Sequence, residues 1–565
     1  MTIPDRFDHA SAAEKTLQAW DDAGCAHAEV NPEREPFMIV IPPPNVTGAL
    51  HLGHGLNNTL QDIVIRTKRM QGFETLWMPG TDHAGIATQA VVERRLKEDE
   101  NKTRHDIGRE KLVARIWKWK DQYEKRILGQ LKRMGASCDW QRTRFTLDDQ
   151  CAEAVRVTFF DLFEKKYIYR GKRLVNWDCH LGTAVSNDEV QNVKRKGNFW
   201  HFYYPVIDPK PGEPDKVEIA TTRPETMLGD TAVAVHPNPE SALNKVEKEL
   251  QKKLADASEK DKAEIETQLE QLATQRKEML PQLVLLSEMA ADGRKLMLPL
   301  MDREIPLVAD RWAKPEKGSG CVKITPAHDP NDYEVGKRCD LPMINIMNPD
   351  GTINEEGGPY QGLTMKEARK KVVADLDEIG LLGDIEDREI DLPISDRSKF
   401  PIEPYLADQW FVKMDDLSHN AMDLVERGEV TILPDRYRKG YLDWLSEKRD
   451  WPVSRQLWWG HQIPIWSVVE LSKGDKDALV EKVAAIIGED SNRVSYQVDE
   501  FEDGTFGVFV CVRTEADPKE KELEAIGFER DPDVLDTWFS SALWPHSTLG
   551  SHPFHQFLIR YHHVL

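Results

Sequence analysis

Short apolar runs and helical stripes alternate near the start of the chain. Residues 37–41, Phe-Met-Ile-Val-Ile, form an uninterrupted apolar run, which is typical of a buried parallel strand, and three prolines at 42–44 end it. After the turn, apolar residues recur at helical spacing from Leu56 to Val64. The pattern therefore predicts a strand, a turn and a helix in that order.

The period of the pattern changes further along the chain. Short segments of alternating polar and apolar residues, separated by turns, fill the stretch from about residue 197 to about residue 394. From Arg397 the chain again shows the sequence pattern of the first segment, and this part is rich in tryptophan. We predict an α/β fold in which one nucleotide-binding domain is split by an inserted β-rich domain, with segments 1–195, 196–395 and 396–550 and a divergent tail 551–565.

A helical segment interrupts the inserted domain. Residues 241–280 consist almost wholly of Lys, Glu, Gln, Ala and Leu, and they carry two apolar stripes at helical spacing. We interpret this segment as a helical hairpin or short coiled coil without a catalytic role.

Composition and charge limit the class of protein. The 565 residues, 40% of them hydrophobic, are enough for several domains, and no apolar stretch is long enough to span a membrane. The N-terminus lacks an apolar signal region, and the seven cysteines form no CxxC pair, which fits a reducing compartment. A net charge of -22 excludes a general basic field for nucleic acid but not a local basic track. We therefore expect a cytoplasmic enzyme without a metal framework.

The turn after the first strand carries candidate chemistry. His51 and His54 fall in the first turn of the predicted helix, where unpaired backbone N–H groups attract anions. Gly53 between them leaves room for a ligand to approach the backbone. The pattern predicts a phosphate site, although a helix start with two surface histidines would look the same.

The motifs resemble those of one enzyme family. His51-Leu52-Gly53-His54 is similar to the first ATP signature of class I aminoacyl-tRNA synthetases, while "PGTDHAGIATQ" at 79–89 and "TTRPET" at 221–226 resemble the valine branch. From about residue 19 to about residue 550 the chain resembles the N-terminal half of the valyl-tRNA synthetases. The helical segment 241–280 and a second insertion, expected near residues 471–530, interrupt the resemblance. The resemblance implies a Rossmann-type class I catalytic domain split by a β-rich editing domain. It also implies a valine–tRNA ligase that uses ATP with Mg2+, acts on valine and tRNA(Val), and is expected to be a monomer.

The resemblance also implies a synthetic site. His51, Gly53 and His54 would bind ATP, and the two histidines would stabilise charge that grows on the α-phosphate. Asp82 follows an apolar run, so its carboxylate could face the site from the end of a strand and hold an ammonium group. Val534 and Trp538, four residues apart, are predicted to share one helix face. The implied valine-binding residues are Pro43, Asn45, Asp82, Trp459, Val534 and Trp538.

A second, hydrolytic site is implied in the inserted domain. An apolar valine pocket cannot strongly reject threonine, which has the same shape with a hydroxyl group, so mischarged tRNA must be hydrolysed. Period-2 alternation places Lys323 and Thr325 on one strand face. Together with two aspartates that follow, they resemble the editing pocket of the family, which would consist here of Arg223, Thr226, Lys323, Thr325, Asp329 and Asp332.

Some features of the family do not occur in this sequence. The chain contains no Lys-Met-Ser-Lys-Ser loop, so we expect weak adenylate formation, and we suspect a truncation or a shifted reading frame near the tail. A metal site from His552, His555, His562 and His563 is a minor alternative. No zinc is predicted, because Asp178-Cys179-His180 stands where some members carry CxxC. Two alternatives to the ligase remain, namely an editing-only aminoacyl-tRNA hydrolase and an inactive fragment.

Overall fold

The chain folds into two compact units. The computed structural model describes residues 8–488, 492–501 and 503–549, so the predicted tail 551–565 and its histidines lie outside the described residues. Unit 1 comprises the described residues up to Gly171 and those from Gln409 onward, and unit 2 comprises Lys172–Asp408. One unit is therefore inserted into the sequence of the other.

The first segment of unit 1 begins as an α/β fold. Its elements are the helices α1 (His9–Asp22), α2 (Leu52–Met70), α3 (Gly85–Glu100), α4 (Arg104–Ile107), α5 (Arg109–Arg133) and α6 (Asp149–Glu164), and the strands β1 (Pro36–Val40), β2 (Glu74–Met78), β3 (Gly80–Thr81) and β4 (Arg144–Phe145). Strands β1 and β2 are parallel neighbours, and α2 connects them. The predicted order of strand, turn and helix is confirmed.

The apolar stripe that predicted α2 does not face the core. Leu52, Leu56, Leu60 and Ile63 are 93%, 65%, 57% and 55% exposed. The buried residues of α2 are Ile65 and Asn58. An asparagine is not expected at a core position. The periodicity was a correct indication of a helix, but it marks an exposed face.

The core of unit 1 lies beneath the other side of α2. Ile65 packs in one cluster with Trp77 from β2 and with buried leucines and isoleucines of α3 and α5. The members from α3 and α5 are Leu96, Leu112, Ile116, Ile127 and Leu131. This cluster fixes the strand ends from which the candidate site residues project.

Unit 2 is built from antiparallel and mixed sheets. The chain enters it in β5 (Ile168–Asp178) and leaves it in β14 (Glu403–Val412). The elements between them are β6 (Thr183–Val185), β7 (Val190–Pro205), β8 (Lys216–Thr221), β9 (Ala232–Val235), α7 (Pro239–Asp256), α8 (Glu259–Ala291), β10 (Lys295–Leu298), β11 (Arg303–Ala309), β12 (Cys321–Ile324), α9 (Pro330–Arg338), α10 (Met365–Glu378) and β13 (Leu382–Ser395). One sheet has the order β10-β11-β9-β12, and another has the order β13-β7-β8.

The Lys- and Glu-rich segment of unit 2 forms two long helices, α7 and α8. Arg276 of α8 makes an ion pair with Glu247 of α7 at 2.8 Å and also donates to Asn244. Near the sheet the pair is anchored by buried leucines such as Leu243 and Leu283. The site residues of unit 2 lie outside these helices.

The second segment of unit 1 returns with smaller elements. They are α11 (Asp415–Glu426), α12 (Arg438–Ser446), β15 (Trp451–Pro452), β16 (Ser454–Arg455), β17 (Ile465–Leu471), α13 (Lys473–Ile487), β18 (Val494–Glu500), β19 (Phe506–Val512), α14 (Pro518–Ala525), β20 (Glu529–Arg530), β21 (Val534–Leu535), α15 (Thr537–Ala542) and α16 (Trp544–Leu549). A sheet of order β18-β19-β17-β20 occupies the region of the expected insertion at 471–530. No helix in the described part of the chain is long and apolar enough to cross a membrane.

Candidate active sites in the two units

The N-terminus of α2 fixes two imidazole rings side by side. The Nδ1 atom of His51 accepts a hydrogen bond from the backbone N–H of Gly53 at 3.1 Å, and Nδ1 of His54 accepts one from the N–H of His51 at 3.2 Å. Because both Nδ1 atoms accept, the neutral rings carry their protons on Nε2. The ring centroids are 3.9 Å apart. Two Nε2–H donors therefore lie next to a helix N-terminus, which is a suitable arrangement for an anion.

Burial and close packing affect the two imidazole rings at this helix end. Burial lowers the pKa of His54, and the adjacent His51 lowers it further, so His54 is a neutral donor near pH 7. A Cβ atom at position 53 would lie 3.0 Å from Cε1 of His51. Gly53 therefore lets the His51 ring lie at a position from which a Cβ atom would shift it by a few tenths of an ångström.

Asp82 provides a buried carboxylate that no lysine or arginine among the described residues pairs with. It follows β3, and its backbone pairs with the turn after β1, since Val46 donates to the Asp82 carbonyl at 3.0 Å and the Asp82 N–H donates to Pro44 at 2.9 Å. Pro43 and Asn45 lie in that turn. The Asp82 side chain, in a residue that is 4% exposed, accepts from the Ala84 N–H at 2.7 Å and from the Ser541 hydroxyl.

The electrostatics of Asp82 indicate a site for a positive group. Burial raises the pKa of Asp82 to about 6. The Nδ1 atom of His83 lies 3.5 Å from Oδ1 of Asp82. Burial lowers the pKa of His83 to about 3, so this ring carries no charge. No lysine or arginine forms an ion pair with Asp82 within the described part of the chain. Near neutral pH the carboxylate is therefore mostly ionised and uncompensated.

Trp459 and Val534 are buried residues that pack next to the Asp82 loop. The Trp459 indole N–H donates to the His83 carbonyl at 2.9 Å. Both residues are buried, and a Cβ atom at Gly460 would lie 3.1 Å from Cγ2 of Val534. The structure thus brings residues from distant parts of the chain to the strand end that carries Asp82.

The prediction that Val534 and Trp538 share a helix face is wrong. Val534 belongs to β21, and α15 begins only at Thr537, because the Asp536 side chain caps the helix by accepting from the Trp538 N–H at 3.1 Å. Trp538 is 54% exposed. A spacing of four residues matched a helix, whereas the aspartate marks the end of the strand segment.

Three residues of this site were not singled out from the sequence. The Gln89 side-chain oxygen accepts from the backbone N–H groups of Trp458 and Trp459 at 2.9 and 3.0 Å. Thr537 accepts from the Gly85 N–H at 2.9 Å, and Ser541 donates to Asp82. Gln89 ends the quoted motif at 79–89 and was therefore visible in it. Thr537 and Ser541 could be recognised as site residues only from the tertiary structure.

A buried polar cluster lies beside the end of β12 in unit 2. Lys323 forms an ion pair with Asp230 at 3.0 Å, and the Thr325 hydroxyl donates to the same carboxylate. The Tyr204 hydroxyl also donates to Asp230. Asp230 and Tyr204 were not predicted. Asp230 directly follows the segment that begins with "TTRPET", which is the signal that could have identified it.

Asp329 and Asp332 have different roles in the structure. Asp329 caps α9 and accepts from the N–H groups of Asn331 and Asp332 at 2.8 and 3.2 Å. The Asp332 carboxylate accepts from the Thr325 N–H at 3.0 Å. Burial, with a smaller contribution from Asp329, raises the pKa of Asp332 to about 7. The Asp332 carboxyl therefore changes its protonation state near neutral pH.

Arg223 and Thr226 join the two segments of the cluster. Arg223 pairs with Glu403 and donates to the His328 carbonyl at 3.1 Å, and the Thr226 hydroxyl donates to the Arg223 carbonyl at 2.9 Å. A Cβ atom at Gly229 would lie 3.3 Å from Cγ2 of Thr325, so the segments touch. All six predicted editing residues therefore lie in two adjoining segments, 223–226 and 323–332. Among the residues described, no group of three or more His, Cys, Asp or Glu side chains is placed to hold a metal ion.

Together these features define a class I synthetase, and comparison with known proteins agrees. Residues 15–560 match the family described as tRNA synthetases class I (I, L, M and V), and the chain belongs to this family. The predicted family and its Rossmann-type α/β fold with an inserted β-rich region are confirmed.

Three similar proteins are valine–tRNA ligases. The chain is 69% identical over 555 residues to the valine–tRNA ligase of Rhodopirellula baltica, covering 97% of this chain and 53% of that protein. It is 45% identical over 548 residues to the valine–tRNA ligase of Protochlamydia amoebophila, with 97% and 49% covered. For the valine–tRNA ligase of Syntrophotalea carbinolica the identity is 43% over 548 residues, with 97% and 51% covered. The chain spans about half the length of these curated relatives.

Proposed function

We propose that unit 1 carries the synthetic site of a valine–tRNA ligase, which activates valine with ATP and transfers it to tRNA(Val). The observation that carries this proposal is the buried, uncompensated carboxylate of Asp82 beside the apolar side chains of Trp459 and Val534. A carboxylate in this environment binds an ammonium group, and the adjoining walls accept a small branched side chain. An α-amino acid such as valine presents both groups.

The histidine pair is suited to the activation step. A valine carboxylate oxygen attacks the α-phosphorus of ATP, the bond to the bridging oxygen breaks, and pyrophosphate leaves with the electron pair. Charge grows on the α-phosphate oxygens as the new bond forms. The Nε2–H groups of His51 and His54 and the N-terminus of α2 stabilise that charge without a covalent step. Mg2+ enters with ATP as part of the substrate.

We further propose that unit 2 hydrolyses threonine from mischarged tRNA(Val). Asp332 would hold the ammonium group of the misattached threonine, and the polar groups around Lys323 and Thr325 would bind its hydroxyl and the terminal adenosine. Water then attacks the ester carbonyl, and the ribose hydroxyl leaves with a proton. Valine lacks the hydroxyl, so it would leave buried polar groups unpaired and bind poorly.

Editing alone is the second candidate function. It is favoured by one observation, which is that Arg223, Thr226, Lys323, Thr325, Asp329 and Asp332 all fall within a single compact unit. A chain with threonine release but without valine binding would match this alternative. A chain with neither activity would match the inactive fragment.

Valine binding tests the synthetic site directly. Calorimetry should show that the chain binds valine, and that Asp82→Asn weakens binding at least about tenfold by leaving the ammonium without a charged partner. Asp121→Asn, which changes an exposed carboxylate on α5, is the matched control and should bind valine normally. Equal affinity in the Asp82→Asn variant would overturn the assignment of the pocket.

A further inference from the structure

A cavity of about 290 Å³ lies in unit 1, and none of its lining residues belongs to the synthetic site. It is enclosed by α1, the C-terminal half of α2, the loop after α1 and the loop that follows α5. Its lining includes Trp20, Cys25, His27, Arg66, Arg69 and Trp140. Neither the histidine pair nor Asp82 reaches it. Its size is close to that of a site for a small organic molecule.

Arg69 brings an uncompensated positive charge to the wall of this cavity. Its guanidinium donates to the Thr75 hydroxyl at 3.1 Å and to the Ser137 hydroxyl and carbonyl at 3.2 and 3.4 Å, all of them uncharged. Within the described ranges, no carboxylate forms an ion pair with it. Burial lowers the pKa of Arg69, the adjacent Arg66 lowers it further, and Asp62 offsets part of this effect from a distance without forming an ion pair with Arg69.

The other charges around the cavity are already paired or exposed. Arg66 forms an ion pair with Asp62 at 2.7 Å. The Asp139 carboxylate contacts both Arg142 and His27 at 3.1 Å. Asp21 is exposed. Arg69 is therefore the cation of the cavity wall that a bound carboxylate can pair with, and Asp21 remains at the wall as an exposed carboxylate.

Aromatic side chains supply the apolar part of the wall. Trp20 and Trp140 are half-buried, and each has a cation over its ring, Arg66 at 4.8 Å and Lys132 at 5.0 Å from the centroid. These cations hold the rings in place. A rigid indole surface next to a guanidinium suits a flat ring that carries an acid group.

We propose that this cavity is a binding site for a small planar monoanion, an aromatic ring bearing one carboxylate, with the carboxylate on Arg69 and the ring against Trp20. The site is separate from the proposed synthetic and editing chemistry. Its occupation would join α1 to the end of α2 and to the loop after α5, because each of these contributes to the wall.

Cys25 reports occupation of the cavity. It lines the cavity and is the one exposed thiol among the seven cysteines, all of which fall inside the described residues. Alkylation of the 565-residue chain by N-ethylmaleimide is followed at Cys25 by peptide mass spectrometry. Indole-3-propionate should slow the reaction, whereas the neutral indole-3-propionamide should do so only at about tenfold higher concentration. The half-buried Cys179 and Cys339 serve as internal references whose rates should not change.

Variants of Arg69 test whether its guanidinium binds the carboxylate. Arg69→Gln should abolish the preference for the carboxylate over the amide, Arg69→Lys should keep it, and Arg133→Gln, an exposed arginine on α5, should behave like the unmodified chain. Unchanged melting temperatures would show that the variants are folded. Equal protection by acid and amide in the unmodified chain, or no protection by either at millimolar concentration, would overturn the proposal. So would a full carboxylate preference in Arg69→Gln.

Discussion

At the residue scale, the hydrogen bonds of the histidine pair determine which protons are available for chemistry. Both Nδ1 atoms accept hydrogen bonds from backbone N–H groups, so the Nε2 atom of each ring is left to donate. A neutral donor stabilises a phosphate in the transition state without holding the product by full charge attraction. The capping arrangement at the start of α2 is therefore also a catalytic arrangement.

Gly53→Ala should separate the effect on the ring from the effect on the helix. The new methyl group would shift the His51 ring by a few tenths of an ångström, since Cβ would lie 3.0 Å from its Cε1 atom. We expect ATP binding, measured by calorimetry, to weaken about tenfold through loss of an aligned donor. Gly55→Ala is the matched control, because its Cβ would meet only Met134 at 3.6 Å. Both changes improve helix propensity, so an equal loss of affinity in both would contradict this explanation.

Threonine release should depend on pH through Asp332. Burial raises the pKa of this carboxyl to about 7, so the ionised form that binds ammonium increases as the pH rises through that value. The rate of threonine release from mischarged tRNA(Val) should therefore rise severalfold between about pH 6 and about pH 8. Asp332→Asn should be slow at every pH. Glu334→Gln, an exposed change on the same helix, should keep the rise, and a flat profile in the unmodified chain would exclude Asp332 as the titrating group.

At the element scale, the two faces of α2 should respond differently to truncation. Ile65 is fully buried in the core of unit 1, so Ile65→Ala should lower the free energy of unfolding by about 2–4 kcal/mol. Leu60 lies on the exposed face, and Leu60→Ala should change it by less than about 0.5 kcal/mol. Denaturant titration followed by tryptophan fluorescence measures both. A large loss for Leu60→Ala would mean that this face is packed in solution.

The elements that sequence patterns predicted correctly are those whose partners lie nearby in the chain. The apolar run at 37–41 gave β1, and the helical spacing after it gave α2, because each pattern reflects local geometry. Which face of α2 is buried depends on α3 and α5, so periodicity could not decide it. The Val534 and Trp538 error has the same origin, since β21 exists only because it pairs with β16.

The candidate sites were predictable where a motif carried them. His51, Asp82 and Lys323 stand in quoted motifs, whereas Tyr204 and Ser541 are isolated residues that reach the sites only after folding. Asp230 lies between these extremes, four residues after the motif that ends at Thr226. Polar residues that support a site from another part of the chain leave no local pattern, which is why a single sequence does not reveal them.

At the scale of the whole molecule, the two proposed chemistries should be separable by mutation. The synthetic residues all belong to unit 1 and the editing residues all belong to unit 2. His51→Ala should weaken ATP binding and leave threonine release unchanged, while Asp332→Ala should stop threonine release and leave valine binding unchanged. Calorimetry and the release of labelled threonine measure the two functions on the same preparations. Parallel loss of both functions in either variant would contradict this independence.

The exposed leucines of α2 also favour self-association of the protein. Leu52, Leu56 and Leu60 present adjacent apolar surface to water, and contiguous surface of this kind adheres to other apolar surface. Sulfate and phosphate strengthen such adhesion, whereas the net charge of -22 opposes it through repulsion that salt screens. Added salt therefore strengthens apolar adhesion and weakens charge repulsion, and both changes favour self-association. Binding and melting measurements on this chain need to be compared at one protein concentration and one ionic strength.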